Sequence, residues 1–307
     1  MMKVIALCQA YNEGMFMHQC LQWASRVMDE IVIMEGSLSP FGRLPPHSTD
    51  NTCTILEEMF GTCEAAEFMP NVHWLTGGYE DERNKLIKKG RNREAQEGIN
   101  KNYMLKYARE WFLDHGDLIF ILDVDEFWHE ENFLCIVDKF RKDDSLVHVP
   151  VEEYQFAYNL RTCFNAEHNG RFMRYVRGAR FGDTNHFVHP DRGDITKDYN
   201  HLAKREDTLM CHLCWCKHPL QIREKVISFN RPSFTMWYNL VYLGYPIHGE
   251  KVYKLNQAIM PYKGRGFCEG QHEPLYEFDG ELPWPIRTMT FDHTDYIRKH
   301  HDELVIK

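Results

Sequence analysis

The chain predicts an α/β fold built on a mainly parallel, doubly wound sheet with an elaborated C-terminal region. Three observations carry this. Leu118 to Leu122 are consecutive apolar residues, and a strand apolar at every position needs cover on both faces. Apolar runs at Lys3 to Ala10, Glu30 to Met34, Val72 to Leu75 and Leu118 to Leu122 alternate with helical patterns, the order that produces parallel strands. Finally, Asp123, Asp125 and Glu126 follow the most apolar run directly, at the end of a sheet where open α/β proteins bind ligands.

Each element has its own signal. Lys3 to Ala10 (KVIALCQA) is a short apolar strand that ends in the polar Tyr11-Asn12-Glu13, and Met15, Leu21 and Trp23 give the segment up to Val27 a helical spacing. Glu30 to Met34 (EIVIM) is a second buried strand. After a Pro-containing loop, Ser48-Thr49-Asp50-Asn51 offers capping residues for a helix through Met59. Val72 to Leu75 is the third strand, Arg93 to Leu113 a long amphipathic helix, and the acid-ended strand the fourth. Beyond it, Leu146 to Val151 and Thr208 to Trp215 read as strands, Pro219 to Phe229 as a helix, and Pro283 to Lys307 as a tail with a short helix near its end. No low-complexity linker divides the chain, so residues 1–143 and 144–307 are expected to be halves of one unit with a soft boundary.

Composition bounds the function. A length of 307 residues with 43% hydrophobic content supports a packed core. A formal charge of -9 gives no general basic footprint for nucleic acid. No signal peptide pattern and no apolar window long enough to span a bilayer are found, so a soluble chain with no membrane span is expected. The 10 Cys are scattered singly, several inside elements, which reads as reduced buried thiols and a cytoplasmic setting.

Asp123 and Asp125 are spaced to project toward one ligand from a strand end, and hard divalent cations take such oxygens. An Asp-x-Asp pair arises by chance in a chain this rich in Asp, so its place after a buried strand carries the argument. Because Asp125 lies beyond Leu122, its replacement by Ala is expected to leave the strand folded.

Ala10-Tyr11-Asn12-Glu13 after the first strand, Glu35 after the second, Ser48-Thr49-Asp50-Asn51-Thr52 heading a helix, and Asp123-Val124-Asp125-Glu126 after the fourth together resemble the GT-A glycosyltransferases of the family 2 type. His212 to Phe229 (HLCWCKHPLQIREKVISF) is more loosely similar to a segment of related enzymes, including the β-1,4-mannosyl-glycoprotein N-acetylglucosaminyltransferase family. The resemblance implies a nucleotide-diphospho-sugar donor, held through Tyr11, Asn12, Glu13, Glu35 and Asp50, and a glycan or other hydroxyl acceptor. It also implies Mn²⁺ or Mg²⁺ at the acidic pair, with Asp123 toward ribose or sugar, Asp125 on the metal, and His212 completing the shell. The chain departs from the pattern by interposing Ser37 to His47 between the second strand and the Ser-Thr-Asp segment.

Breaking a glycosidic bond to a diphosphate builds negative charge on the leaving oxygen, which a divalent cation neutralises. An inverting transfer, the expected outcome, also needs a general base for the acceptor hydroxyl. Glu206 and Asp207 are the first candidates for it, Glu152 and Glu153 the second. Two other functions fit parts of the pattern. A nucleotidyltransferase presents paired Asp to phosphates but normally carries a Gly-rich loop after its first strand, which AYNEG does not resemble; a non-catalytic carbohydrate-binding protein uses the same scaffold without turnover.

Three further groups admit two readings each. Cys211, Cys214, Cys216 and His218 bunch like zinc ligands, but a strand sends Cys211 and Cys214 to opposite faces, which favours buried thiols. Arg171, Arg174, Arg177 and Arg180 recur every third residue, as an anion clamp or as a solvated basic face. Tyr154, Phe156, Trp237, Tyr238 and Tyr242 suit either sugar stacking or the core.

Overall fold

A computed structural model describes residues 1–36, 45, 47–60, 69–75, 93–182, 186–195, 201–229, 235, 237–249 and 276–306, without the side chains of 93–96, 165–170, 205–206, 228–229 and 276. The first half alternates as expected: β1 (Val4–Ala10), α1 (Met17–Val27), β2 (Glu30–Glu35), α2 (Thr52–Phe60), β3 (Val72–Leu75), α3 (Arg93–Trp111) and β4 (Leu118–Asp123). Then follow β5 (Glu126–Phe127), α4 (Glu130–Lys142), β6 (His148–Ala157), β7 (Thr162–Arg174), and the short strands β8 (Arg180–Phe181), β9 (Phe187–His189) and β10 (Gly193–Asp194). The C-terminal part holds α5 (Arg205–Thr208), β11 (Cys211–Trp215), α6 (Pro219–Phe229), a π-helical turn at Tyr238–Tyr242, α7 (Tyr245–His248), β12 (Tyr276–Glu277) and α8 (Thr294–Leu304).

One mixed sheet of nine described strands runs through the molecule in the order β3-β2-β1-β4-β7-β6-β11-β5, with β12 also paired to β7. β3, β2, β1 and β4 are mutually parallel. β7 is antiparallel to both β4 and β6, and β11 is parallel to β6. Two reversals restore direction, so β1, β4, β6 and β11 all point the same way. The sheet crosses residue 143 without a break, because β4 pairs directly with β7.

β4 shows why the first half folds this way. Its alternate residues enter different cores: Leu118, Phe120 and Leu122 on one face, Ile119 and Ile121 on the other, all 0–1% exposed. On the first face Trp23 of α1 and Phe120 both meet Phe133 of α4 edge-on, with ring centroids 5.4 and 5.1 Å apart. The second face is covered by Met104, Leu105 and Ala108 of α3. Such double cover is what a strand without a polar face requires. A further cluster joins Trp215, Ile222 and Val226 to the π-helical turn and to Ile297 and Leu304 of α8. The aromatic residues singled out in the sequence mostly belong to cores: Phe156, Trp237, Tyr238 and Tyr242 are buried there, and Tyr154 stacks edge-on with Phe278 at 5.1 Å.

The arginine run divides rather than forming one face. Arg177 and Arg180 are exposed. Arg174 is buried and donates to the carbonyls of Leu146, Gly116 and Asp143 at 3.0, 3.0 and 3.1 Å, and to that of Phe140. It thereby satisfies carbonyls that the C-terminal end of α4 leaves open, where a cation also complements the helix dipole. The eight described cysteines are free, six of them buried. Cys211 and Cys214 enter separate clusters, as strand alternation predicts. No helix among the described residues is long and apolar enough to cross a membrane.

Two outcomes follow from this packing. Arg174→Met should leave several buried carbonyls without donors, each costing about 1–3 kcal/mol, for a total loss of about 3 kcal/mol after relaxation. Urea unfolding measures it, and a variant within 0.5 kcal/mol of the parent (roughly the scatter of ordinary surface changes) would deny Arg174 this role. The second concerns His293, whose Nε2 lies 3.0 Å from the Cys216 carbonyl oxygen. Burial lowers its pKa first, and neighbouring His218 lowers it further; His218 is itself lowered by burial. Histidines depressed in the fold stabilise it fully above their unfolded pKa of about 6.5, and that contribution is lost as pH falls through their folded values. Melting temperature should therefore fall between pH 7.5 and 5, and fall less in His293→Gln. Equal falls in both proteins would remove His293 as a source.

Candidate functional site

In a sheet ordered 3-2-1-4, the chain steps outward from β1 on one side and then crosses to β4 on the other. The crevice at the carboxyl ends of β1 and β4 is thus the topological switch point, the place where open α/β sheets hold ligands. The residues gathered there are charged and buried, and they come from both halves of the chain.

From the β1 side comes a loop locked to the head of α2. Asn12 has a left-handed backbone with φ 54, a conformation Asn tolerates better than most residues. Its amide N–H donates to Ser48 Oγ at 2.9 Å, and its side-chain oxygen accepts from the Thr49 N–H at 2.7 Å. Asp50 accepts the N–H groups of Gly14 at 3.1 Å and Thr52 at 2.9 Å. A Cβ at Gly14 would stand 1.9 Å from Asn51 Oδ1 and 3.1 Å from the Thr52 nitrogen, so only glycine lets the two segments meet this closely. Asp50 therefore lies against the first loop despite the inserted segment. Glu35, at the end of β2, accepts the N–H and Oγ–H of Ser48, both at 2.7 Å, and pairs with His47 Nδ1 at 2.8 Å. Tyr11 is half-buried beside them.

From the β4 side come the acids. Asp125 is 3% exposed, not an edge residue. Its Oδ1 lies 3.3 Å from His212 Nε2, and its Oδ2 lies 3.2 Å from Lys217 Nζ and 3.7 Å from Lys225 Nζ. Burial alone would raise its pKa, but Lys217, Lys225 and His212 outweigh that and hold it well below the usual carboxylate range. Replacement by Ala would strand these cations, and removing one partner from a buried pair costs about 3–5 kcal/mol, so the change would act on stability even with the strand folded. Asp123 instead points to Arg171 at 2.9 Å, with its side chain 41% exposed. The same guanidinium, fully buried, also pairs with Glu126.

Lys217 bridges the two sides, because its ammonium also pairs with Glu13. Burial opposes its charge, but Asp125 and Glu13 more than restore it, so Lys217 stays protonated. Glu13 is pushed up to about 7, by burial first and by the charge of Asp125, against the pull of Lys217. Its second oxygen is buried without a hydrogen-bond partner.

Strand alternation sorts the candidates for general base. Glu152 and Glu153 are successive residues of β6 and face opposite ways. Glu152 pairs with Lys204 at 2.6 Å, whereas Glu153 is fully buried with Oε1 3.0 Å from His212 Nδ1. Asp207 is exposed, and its carbonyl accepts from Asn132 of α4. The side chain of Glu206 lies outside the described residues. Of these four, Glu153 is the one whose described side chain joins the cluster.

Two groups among the described residues are close enough to hold a metal ion: Glu126, Glu153 and His212, and Glu35, His47 and Cys53. The cysteines 211, 214 and 216 and His218 are in neither. His212, between carboxylates on both ring nitrogens, has its pKa raised: burial would lower it, but Cys214, Glu153 and Asp125 prevail. Sequence reasoning gave Lys217 and Lys225 no role, although both sit in the segment from His212 to Phe229. A lysine carries no local signal of what it will face; only the turn after β11 and the register of α6 bring these two to Asp125. No protein-family model and no curated protein matches the chain.

Proposed function

We propose that this chain is a metal-dependent glycosyltransferase that moves a sugar from a nucleotide-diphosphate donor to a hydroxyl acceptor. The observation that carries the reading is the placement of Glu13, Asp125, His212 and Lys217 together at the switch point of a 3-2-1-4 sheet. The GT-A resemblance of the first half adds support, since its four motifs fall at or beside the ends of successive parallel strands.

The donor set fits a divalent cation. Asp125 Oδ1 and His212 Nε2 face each other at 3.3 Å, close to the roughly 3 Å between adjacent ligands of an octahedral ion with bonds of about 2.1 Å. An oxygen and an imidazole nitrogen suit Mn²⁺ better than Mg²⁺. Asp125 and His212 would hold the ion, and it would neutralise charge building on the leaving diphosphate. Asp123, paired with Arg171 and partly exposed, would meet the donor's ribose or sugar. Lys225, with its ammonium 5.7 Å from the centre of the Trp215 ring and about a quarter exposed, would pair with a diphosphate oxygen. Glu13 and Lys217, paired and largely buried, would keep water away from the phosphates. Asn12, Ser48 and Glu35 at the end of β2, joined by hydrogen bonds, would form a wall for the base and ribose.

Two measurements test this reading. In a thermal-shift panel of nucleotide sugars, one donor should raise the melting temperature with Mn²⁺ and not with chelator. At a hundredfold excess over Kd the stabilisation is about 2.7 kcal/mol, a rise of about 5 °C for a chain of this size. A panel in which no donor shifts the transition would reject the function. Lys225→Met should weaken binding of the responding donor about tenfold, the loss of one charge-assisted hydrogen bond of about 1.5 kcal/mol, while the ligand-free melting temperature records separately what Asp125 loses with this partner. Unaltered donor affinity would take Lys225 out of the diphosphate site.

A further inference from the structure

His212 has two chemically distinct faces. Nε2 looks toward Asp125 at 3.3 Å, and Nδ1 looks inward toward Glu153 at 3.0 Å and Glu126 at 3.9 Å. The inward arrangement is set by strand geometry. His212 of β11 is paired with Gln155 of the parallel strand β6, and Glu153 and Gln155, two residues apart, share that face of the sheet. Glu153 is fully buried, and Gln155 is 4% exposed. The Gln155 side-chain amide donates to the same Glu153 oxygen that faces His212, and Trp215 Nε1 donates to Gln155 Oε1 at 3.4 Å. A line of polar groups therefore runs from Trp215 through Gln155 and Glu153 to the imidazole, all within the sheet interior.

A neutral imidazole can offer a lone pair at one nitrogen only, and the partner of the other nitrogen decides which. Metal-binding histidines almost always donate their second N–H to a carboxylate, a carbonyl or water, and loss of that partner typically costs about 10- to 100-fold in metal affinity. Resting on the glycosyltransferase reading, we propose that Glu153 is a positioning residue: it accepts the Nδ1–H of His212 and so turns the Nε2 lone pair toward Asp125 and the crevice. Glu153 thus acts through His212 rather than as the base for the acceptor hydroxyl.

A rival arrangement uses the same residues differently. Glu126, Glu153 and His212 are close enough to hold an ion on the Nδ1 side. There Glu126 is paired with the fully buried Arg171 guanidinium, as Asp125 is with Lys217, so a neighbouring cation does not by itself separate the two sides. Every side chain of that group is buried, and Glu126 and Glu153 are 0% exposed, so a donor phosphate could not join the shell. The Asp125 side adjoins Lys225, whose side chain is 27% exposed.

The test is Mn²⁺ binding to the full chain, followed by calorimetry and by the electron paramagnetic resonance of free Mn²⁺, for wild type, Glu153→Gln, Glu153→Asp and Asp125→Asn. Wild type should bind, Glu153→Gln should bind about 10- to 100-fold more weakly, Glu153→Asp should recover part of the loss, and Asp125→Asn should lose binding. With Mg²⁺ and histidine-selective ¹⁵N labelling, His212 should appear as the Nδ1–H tautomer in wild type and lose that signature in Glu153→Gln, a change that loosened packing alone would not produce. Wild-type affinity and tautomer in Glu153→Gln would overturn the positioning role and leave the glycosyltransferase reading standing. Abolished binding in Glu153→Gln with near-normal binding in Asp125→Asn would also overturn it, by moving the ion to the Nδ1 side. A wild-type chain that binds no Mn²⁺ would remove the metal reading and this role together.

Discussion

The buried carboxylate of Asp125 is the constraint on which the arrangement rests. A charge taken out of water costs several kcal/mol unless it is paired, and β4 alone offers nothing to pair it with. The partners arrive from far along the chain: His212 in β11, Lys217 just after it, and Lys225 in α6. Electrostatic satisfaction of one residue thus requires the whole second half to be folded onto the sheet. The parallel half places the acid, and the mixed half compensates it.

The antiparallel strand β7 makes that compensation geometrically possible. By pairing with both β4 and β6 it reverses direction twice, so β6 and β11 deliver Glu153 and His212 to the same end of the sheet as β1 and β4. It also carries two arginines with different duties. Arg171 neutralises Asp123 and Glu126 from inside the sheet, and Arg174, three residues on and therefore on the opposite face, closes the end of α4. A run of arginines at regular spacing is thus divided by the two-residue period of a strand into a site residue and a helix cap.

This division shows what the sequence could and could not say. Double burial leaves a continuous apolar run, so β1, β2 and β4 are legible, and the Pro219–Phe229 helix is legible from its spacing and its proline start. β7 is not: its thirteen residues (TCFNAEHNGRFMR) are largely polar, with glycine and two asparagines, and cross-strand pairing rather than local preference makes them a strand. The acids of the site were legible because Asp and Glu at a strand end are conspicuous. Their cationic partners were not, because a lysine at position 217 or 225 looks like any surface lysine until tertiary contacts bury it. Strand alternation, had β6 been extended to residue 157, would have separated Glu152 from Glu153.

Charge balance sets the order in which such a site can be filled. Glu13, Asp123, Asp125, Glu126 and Glu153 are opposed by Arg171, Lys217, Lys225 and a protonated His212, so the ligand-free crevice is close to neutral. Under the proposed function, a diphosphate brought alone would add negative charge next to Asp125 and Glu13, and a divalent cation brought alone would compete with a proton for His212, whose pKa its neighbours raise. Bound together they would cancel, and each would lower the cost of the other, which by linkage would make their affinities mutually dependent. Glu13, titrating near neutrality beside Lys217, gives the crevice a further way to shed or take one charge as a ligand enters. The same burial that raises the Glu13 carboxyl therefore adjusts the balance of the site without moving any strand.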